Sequence, residues 1–317
     1  MEKSQIIDIS IVIPLYNEET TFPVLYNRLK QSLDSISKGY EIIFVNDGSY
    51  DNTLNLIKEY SKKDINIKYI SFSRNFGHQN AIFAGIKYAC GEVIITMDGD
   101  LQDPPEIINE LYNKYKEGYQ VVYAKRKTRK GESVFKKTTA KIFYRLLKKI
   151  TAIDIPLDTG DFRLISNKVS SELIKLDEKN KFIRGQIAWL GFKQTSIEFE
   201  RQERYAGKTK YSFKKMINLA FDGITSFSNF PLQIATIMGV LFSFIAFLII
   251  LYALYSKFIL HRVVTGWTSL MLSSMFLGGI QLLCIGIIGE YISRINNDVK
   301  KRPSFIVEES NIDNSIG

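Results

Sequence analysis

The stretch "GEVIITMDGDLQDPPE" (91–106) decides the fold. An apolar run ends in three acids, Asp98, Asp100 and Asp103, and a proline pair follows. Apolar runs of this length bounded by turn residues read as buried strands, and proline suits the first position of a helix. The same strand and helix alternation extends outward in both directions. "ISIVIPL" (9–15), "YEIIFVN" (40–46), "IKYISFS" (67–73), "EVIITM" (92–97) and "YQVVYA" (119–124) read as strands. "TFPVLYNRLKQSL", "DNTLNLIKEYSKK", "GHQNAIFAGIKYA" and "PPEIINELYNKYKEG" between them read as amphipathic helices. The expectation is an α/β fold with a parallel-dominated sheet covered by helices on both faces. Ligands of such sheets sit beyond the carboxyl ends of the strands. The acidic cluster lies at one such end, and "PLYNEE" and "NDGSYDNT" lie at two others.

Like charges this close repel, and each raises the pKa of the other unless a cation lies among them. Mg²⁺ and Mn²⁺ prefer oxygen donors and are held by one or two carboxylates plus substrate phosphates. Asp98 and Asp100 can approach one ion if the strand geometry breaks at Gly99, and Gln102 can add a carbonyl oxygen. Such an ion would neutralise a diphosphate leaving group. The competing reading is turn and helix-capping acids, and for Asp103, before Pro104 and Pro105, an N-cap is preferred. No G-x-G-x-x-G follows the first strand and no G-x-x-x-x-G-K-[ST] occurs, which disfavours dinucleotide-binding and P-loop enzymes.

The chain has 317 residues and a formal net charge of +9. Cys90 and Cys284 have no metal or redox spacing, so a reducing compartment is expected. "MEKSQIIDIS" lacks the apolar core of a signal peptide. Gly223–Ser256 and Val263–Gly289 contain no charged residue. Each run exceeds the roughly 20 apolar residues that cross a bilayer. The alternative, two buried core helices, fits poorly with such long uncharged runs. The short linker "KFILHRVV" makes the two spans a hairpin. Basic residues flank its outer ends, Arg201, Arg204, Lys208, Lys210, Lys214 and Lys215 before it, then Arg294, Lys300, Lys301 and Arg302 after it. The positive-inside rule then puts both termini in the cytoplasm. "KRKTRKGESVFKKTTAKIFYRLLKK" (125–149) reads as a basic amphipathic helix for an anionic membrane surface, in preference to nucleic acid or a plain solvated face. "SFKKMINLAFDGITSFSNF" (212–230) reads as a second interfacial stretch.

"IVIPLYNEE", "VNDGSYDNT", "SRNFGHQNA", "MDGDLQDPPE" and "GDFRLIS" resemble, in that order, the signature segments of glycosyltransferase family 2. Together with "RQERYAGKTKYSFKKM" they are similar to its polyprenyl-phosphate subgroup, which holds dolichol-phosphate mannose synthases and bactoprenol glucosyl transferases. The resemblance runs from about Ile9 to Arg302. It implies a GT-A nucleotide-sugar-binding domain over 1–211, amphipathic helices over 212–231, two transmembrane helices over 232–292 and a cytoplasmic tail over 293–317. It implies that Pro14, Tyr16, Asn17, Glu18 and Asp47 line the nucleotide pocket, and that Asp98, Asp100 and Gln102 hold Mg²⁺ or Mn²⁺ and the diphosphate. The competing reading of Asn46 and Asp47 is an ordinary turn.

The resemblance also marks Asp161 and Arg163, in "DTGDFRLIS", as residues of the reaction. An acid near Asp161 often serves this family as general base. A lipid phosphate is mostly a dianion at pH 7, its second pKa being about 6, so positioning ranks before base chemistry for Asp161. Arg126, Lys136, Lys137, Arg201, Arg204 and Lys210 are candidate phosphate clamps, with Arg204 and Lys210 preferred. The expected partners are a UDP-sugar, UDP-glucose foremost, a polyprenyl (undecaprenyl) phosphate and the bilayer of a bacterial inner membrane, with no nucleic acid. The expected reaction is inverting transfer of one sugar. Transfer to another lipid or glycan, and a non-catalytic membrane scaffold, are the rival readings. "RGQIAWLGF" (184–192) lacks the Q-x-x-R-W of processive synthases, which argues against polymer synthesis. Gly278, Gly279, Gly286 and Gly289 are small enough to pack helices closely, and a homo-oligomer is left open.

Overall fold

The structure is a computed structural model and describes residues 7–36, 39–127, 159–176, 178–179, 181–200, 228, 230–259 and 266–312. The chain divides into two compact units, one holding a sheet and its helices, the other holding two long apolar helices.

In the first unit the chain runs β1 (Ile9–Leu15), α1 (Phe22–Asp34), β2 (Tyr40–Asn46), α2 (Thr53–Lys63), β3 (Ile67–Phe72), α3 (His78–Tyr88) and β4 (Val93–Thr96). A 3₁₀ turn (Pro105–Ile107), α4 (Ile108–Lys116), β5 (Val121–Arg126), β6 (Thr159–Ser166), α5 (Asn167–Lys175), α6 (Ile183–Trp189) and β7 (Gln194–Phe199) follow. Eight strands form one sheet in the order β7-β5-β6-β4-β1-β2-β3-β8, with β8 at Val307–Ser310. β1 pairs parallel with β2 and β4, and β2 pairs parallel with β3. All seven residues of β1 and of β2 are buried. That follows from a strand covered on both faces. Ile9, Ile11, Ile13 and Leu15 of β1 pack with Phe22, Leu25 and Leu29 of α1, Ile57 of α2 and Ile108 of α4. Val12 points the other way and packs with Ile82 and Ile86 of α3, Val169 of α5 and Ile187 of α6. The period-two alternation therefore puts α3, α5 and α6 together on one face.

The apolar runs named strands all form strands. The sheet departs from the simple series at β5, which does not pair with β4. β6 lies between them, antiparallel to both. Thr96 stands opposite Arg163, so the residues that follow β4 meet the start of β6. Asp103 is buried and does not cap a helix, because the N-cap position is Pro104. The left-handed residue after β4 is Leu101, at φ 61°, rather than Gly99. Gly99 instead serves close approach, since a Cβ there would sit 2.4 Å from Leu15 Cδ2.

β8 was not expected. The stretch read as a tail returns to the first unit and pairs antiparallel with β3, with Ile70 opposite Ser310 and Ser71 opposite Glu309. Phe305 stacks on Phe72 at 5.1 Å, the Asn311 side chain accepts from Tyr69 N (2.6 Å) and donates to Ile67 O (3.0 Å), and Lys58 pairs with Glu309 at 2.5 Å.

The second unit holds α7 (Phe230–Phe258) and α8 (Trp267–Val299). Their apolar windows have mean hydropathy 2.8 and 2.0, and neither is buried within the protein. A core helix would be covered, so these helices form a candidate membrane hairpin. Phe242 meets Phe276 edge-on at 5.5 Å, and Tyr291 Oη donates to Ser228 O at 2.7 Å. A Cβ added at Gly278, Gly279, Gly286 or Gly289 would meet nothing within 4 Å, so these glycines do not pack α8 against α7. Of the interfacial stretches expected over 125–149 and 212–230, residues 128–149 and 212–227 lie outside the described residues, as do Lys136, Lys137, Arg201, Arg204 and Lys210, while Lys125 and Arg126 belong to β5 and not to a helix.

Candidate active site

Three loops beyond the carboxyl ends of the parallel strands are fastened to one another. Asn17, at φ 53°, accepts from Tyr50 N (2.8 Å), and its own N–H donates to Ser49 Oγ (3.0 Å). Glu18 N donates to Thr53 Oγ1 at 2.9 Å, and Glu18 Oε2 accepts from Thr21 Oγ1 at 3.1 Å. Tyr16 meets Tyr50 edge-on at 6.3 Å. Pro14 lies within β1, opposite Val45. Asp47 is buried, and its carboxylate accepts from Phe76 N (2.7 Å) and Gly77 N (3.0 Å). Burial pushes this carboxyl up, and the two amides and His78 pull against that. Gly48 makes the approach of these loops possible. It sits at φ 66°, and a Cβ there would lie 2.4 Å from the carbonyl carbon of Arg74. Asp47 thus holds the loop from which α3 starts.

α3 begins with His78 and Gln79, and both reach Asp161 at the start of β6. His78 Nε2 lies 3.1 Å from Asp161 Oδ2, and Gln79 Nε2 donates to the same oxygen at 3.1 Å. Arg184, in the first turn of α6, donates from Nε (2.8 Å) and Nη2 (3.1 Å) to the two oxygens of Asp161. Thr96 Oγ1 donates to the Asp161 carbonyl, and Ile183 N donates to Gln79 Oε1 at 3.2 Å. His78 Nε2 also lies 3.3 Å from Asp98 Oδ1. Four elements, α3, β4, β6 and α6, therefore meet at one cluster, because β6 runs back beside β4 and α3 and α6 share a face.

Exposure divides the cluster. The Asp161 side chain is only 5% exposed, while His78, Arg184 and Asp98 are 36%, 26% and 25% exposed. Asp161 is a covered hub and the other three form an open rim. Burial alone would raise the Asp161 carboxyl, but Arg184 and His78 outweigh it and hold it well below the usual carboxylate range. Burial pushes Asp98 up, with help from Asp161 and Asp100, against the pull of His78. Burial would lower His78, but its hydrogen bond to Asp161 and the Asp98 charge bring it up to about 9.

The other expected residues surround this cluster. Asp100 is buried and accepts from Gln102 N at 3.1 Å, so the two belong to one turn beside Asp98. Arg163 is buried, which pushes it down to about 10, and its Nη2 donates to Gly160 O (2.8 Å) and lies 4.0 Å from Asp161 Oδ1. Arg126 ends β5 with its Nη2 over Gly160, where a Cβ would stand 2.9 Å away. His78, Asp98 and Asp161 offer ligand atoms within 4.8 Å of one another, a possible metal site. Asp98 Oδ1 is buried and accepts no hydrogen bond among the described residues, which fits an oxygen that faces a cation. The sequence reading assigned no role to His78, Gln79 or Arg184. His78 and Gln79 lay inside the quoted "SRNFGHQNA", and Arg184 opens "RGQIAWLGF".

A profile described as glycosyl transferase family 2 matches residues 10–174, from β1 into α5. The chain belongs to glycosyltransferase family 2. An uncharacterised glycosyltransferase of Bacillus subtilis, YkcC, is 52% identical over 97% of this glycosyltransferase and 95% of its own length. A prophage bactoprenol glucosyl transferase homolog of Escherichia coli K12 is 41% identical, covering 95% and 98%. The bactoprenol glucosyl transferase of Shigella phage SfV is 40% identical, with the same coverage. The sheet of this family 2 enzyme is GT-A-like, and the matched region ends before Arg184.

Proposed function

We propose that this family 2 enzyme moves a single sugar, glucose foremost, from a UDP-sugar to a polyprenyl phosphate, inverting the anomeric centre. The observation that carries this reading is the division of the cluster into a covered hub and an open rim at the end of β4. Near full-length similarity to proteins named bactoprenol glucosyl transferase supports the acceptor. Asp98, with Asp100 and Gln102 in the adjoining turn, would hold Mg²⁺ or Mn²⁺. Asp161 is the poorer ligand, since both of its oxygens already take donors and the Arg184 cation stands against it. A bound divalent ion supplies positive charge to the departing diphosphate.

The residues of this chain do the rest. The Tyr16 to Glu18 loop and the Asp47 turn shape the nucleotide pocket, and the stapling of Asn17 to Tyr50 keeps that pocket formed. Asp161 positions and does not take a proton. A carboxyl held so far below its usual range by an arginine and a histidine is a weak base. None is needed, because a phosphate monoester with a second pKa of about 6 is already a nucleophile at pH 7. In-line attack by its oxygen converts an α-linked donor into a β-linked lipid phosphate sugar. Arg163 and Arg126 support the start of β6, and Arg204 and Lys210 are proposed to clamp phosphate.

The hairpin is proposed to cross the inner membrane twice, with both termini in the cytoplasm. The pairing of β8 with β3 supports this, since chain from both sides of the hairpin joins one sheet and only an even number of crossings permits that. The test is incubation of the full-length protein with Mg²⁺ or Mn²⁺, labelled UDP-sugars, and either polyprenyl phosphate, diacylglycerol or a glycan. A labelled polyprenyl phosphate sugar is expected. Product on another acceptor alone, or on none, would overturn the reading.

A further inference from the structure

Resting on the reading that both substrates carry phosphate, we infer that Arg184 is a phosphate-binding residue of this enzyme and that Asp161 and Gln79 hold it in place. A guanidinium carries five N–H donors in a planar fork. Asp161 takes one from Nε and one from Nη2, which fixes the plane of the group. The backbone beneath Arg184 is fixed as well, because Ile183 N donates to the amide of Gln79 and that amide donates to Asp161. A long side chain ordinarily loses rotamer entropy when it grips a ligand, and here much of that ordering precedes binding. A quarter of the Arg184 side chain is open to solvent on the rim that it shares with Asp98 and His78.

Charge points the same way. Among the described residues, Asp98, Asp100 and Asp161 stand with His78, Arg126, Arg163 and Arg184, so the acids are already matched by bases. A divalent ion on Asp98 would leave the site positive and ready for an anion. Planar, charge-assisted pairing to phosphate oxygens is the chemistry for which arginine surpasses lysine. The ligand is a phosphate oxygen, from the lipid headgroup or from the diphosphate of the donor.

The experiment uses full-length protein in detergent with Mg²⁺, UDP-glucose and undecaprenyl phosphate. It compares the wild type with Arg184→Gln, which loses the charge, and Arg184→Lys, which keeps the charge and loses the fork. The KM of each substrate, the affinity for UDP by calorimetry and the melting temperature are measured. Loss of a charge-assisted contact predicts a rise of about 10- to 100-fold in the KM for undecaprenyl phosphate in Arg184→Gln, and a smaller rise in Arg184→Lys. UDP affinity should stay near wild type if the ligand is the lipid headgroup. A loss of UDP affinity of the same size would assign the contact to the donor diphosphate and still support the inference. Unchanged KM values and UDP affinity would overturn it, whatever happens to turnover or melting temperature. Should the wild type make no lipid product, the transfer reading falls and UDP affinity alone decides the role of Arg184. If Arg184→Gln does not fold, Arg184→Lys carries the same comparison.

Discussion

Asp98 and Asp161 share one cluster and have their pKa values moved in opposite directions. The difference is in their partners. Arg184, Gln79 and His78 all donate to Asp161, whereas among the described residues Asp98 takes no donor as close as these, with His78 at 3.3 Å and Arg184 acting on it through charge alone. Asp98→Asn and Asp100→Ala are each expected to lower turnover by about 100-fold or more, the scale of ~3 kcal/mol of lost charge stabilisation. Retained activity in either would remove that residue from the proposed metal site. Asp161→Asn should also lower turnover, but its pH–rate profile should keep the wild-type shape, because no base has been lost; a new dependence rising with hydroxide would assign proton abstraction to it. His78 gives a stability prediction with a definite sign. Its folded pKa of about 9 lies above the unfolded value of 6.5, so its stabilisation is whole below pH 6.5 and fades as pH rises toward 9. Denaturant unfolding of metal-free protein should weaken across that window, and His78→Gln should flatten the slope. At Gly48 the left-handed backbone alone costs an alanine about 1–2 kcal/mol, and the Arg74 backbone stands 2.4 Å from the new Cβ. Gly48→Ala should therefore destabilise the protein by at least ~2 kcal/mol in urea unfolding.

Among the elements, the first five strands and four helices were legible because each carries its own period, apolar strands between amphipathic helices. β6 was not, although "GDFRLIS" was singled out for its acid and arginine. Its partners, β4 and β5, lie far off in sequence, and nothing local in Phe162, Leu164 and Ile165 says that they run antiparallel between them. The site was half legible for the same reason. Asp98, Asp100 and Asp161 announce themselves as acids beside turns. His78 and Arg184 acquire a meaning only when α3 and α6 share a face of the sheet. β8 is hidden further still, since "IVEES" is a short, charged segment that becomes a strand by borrowing the edge of β3. It covers what would otherwise be a row of unpaired N–H and C=O groups. Phe305→Ala should loosen it, and amide hydrogen exchange along Ile70–Phe72 should quicken several-fold while exchange in β1 is unchanged. Equal protection of Phe72 in wild type and variant would show that the Phe305 stack does not hold the strand.

For the whole molecule, the order of synthesis follows from the order of strands. β1 to β7 are made first, then α7 and α8, and β8 emerges last. A ribosome releases the final piece of the catalytic sheet only after both greasy helices have left the exit tunnel. Until then the far flank of the sheet is bare, a surface on which chaperones and proteases can act. Completion of the first unit is thereby tied to synthesis of the hairpin, and a chain stalled before Phe305 would carry an open seam along β3.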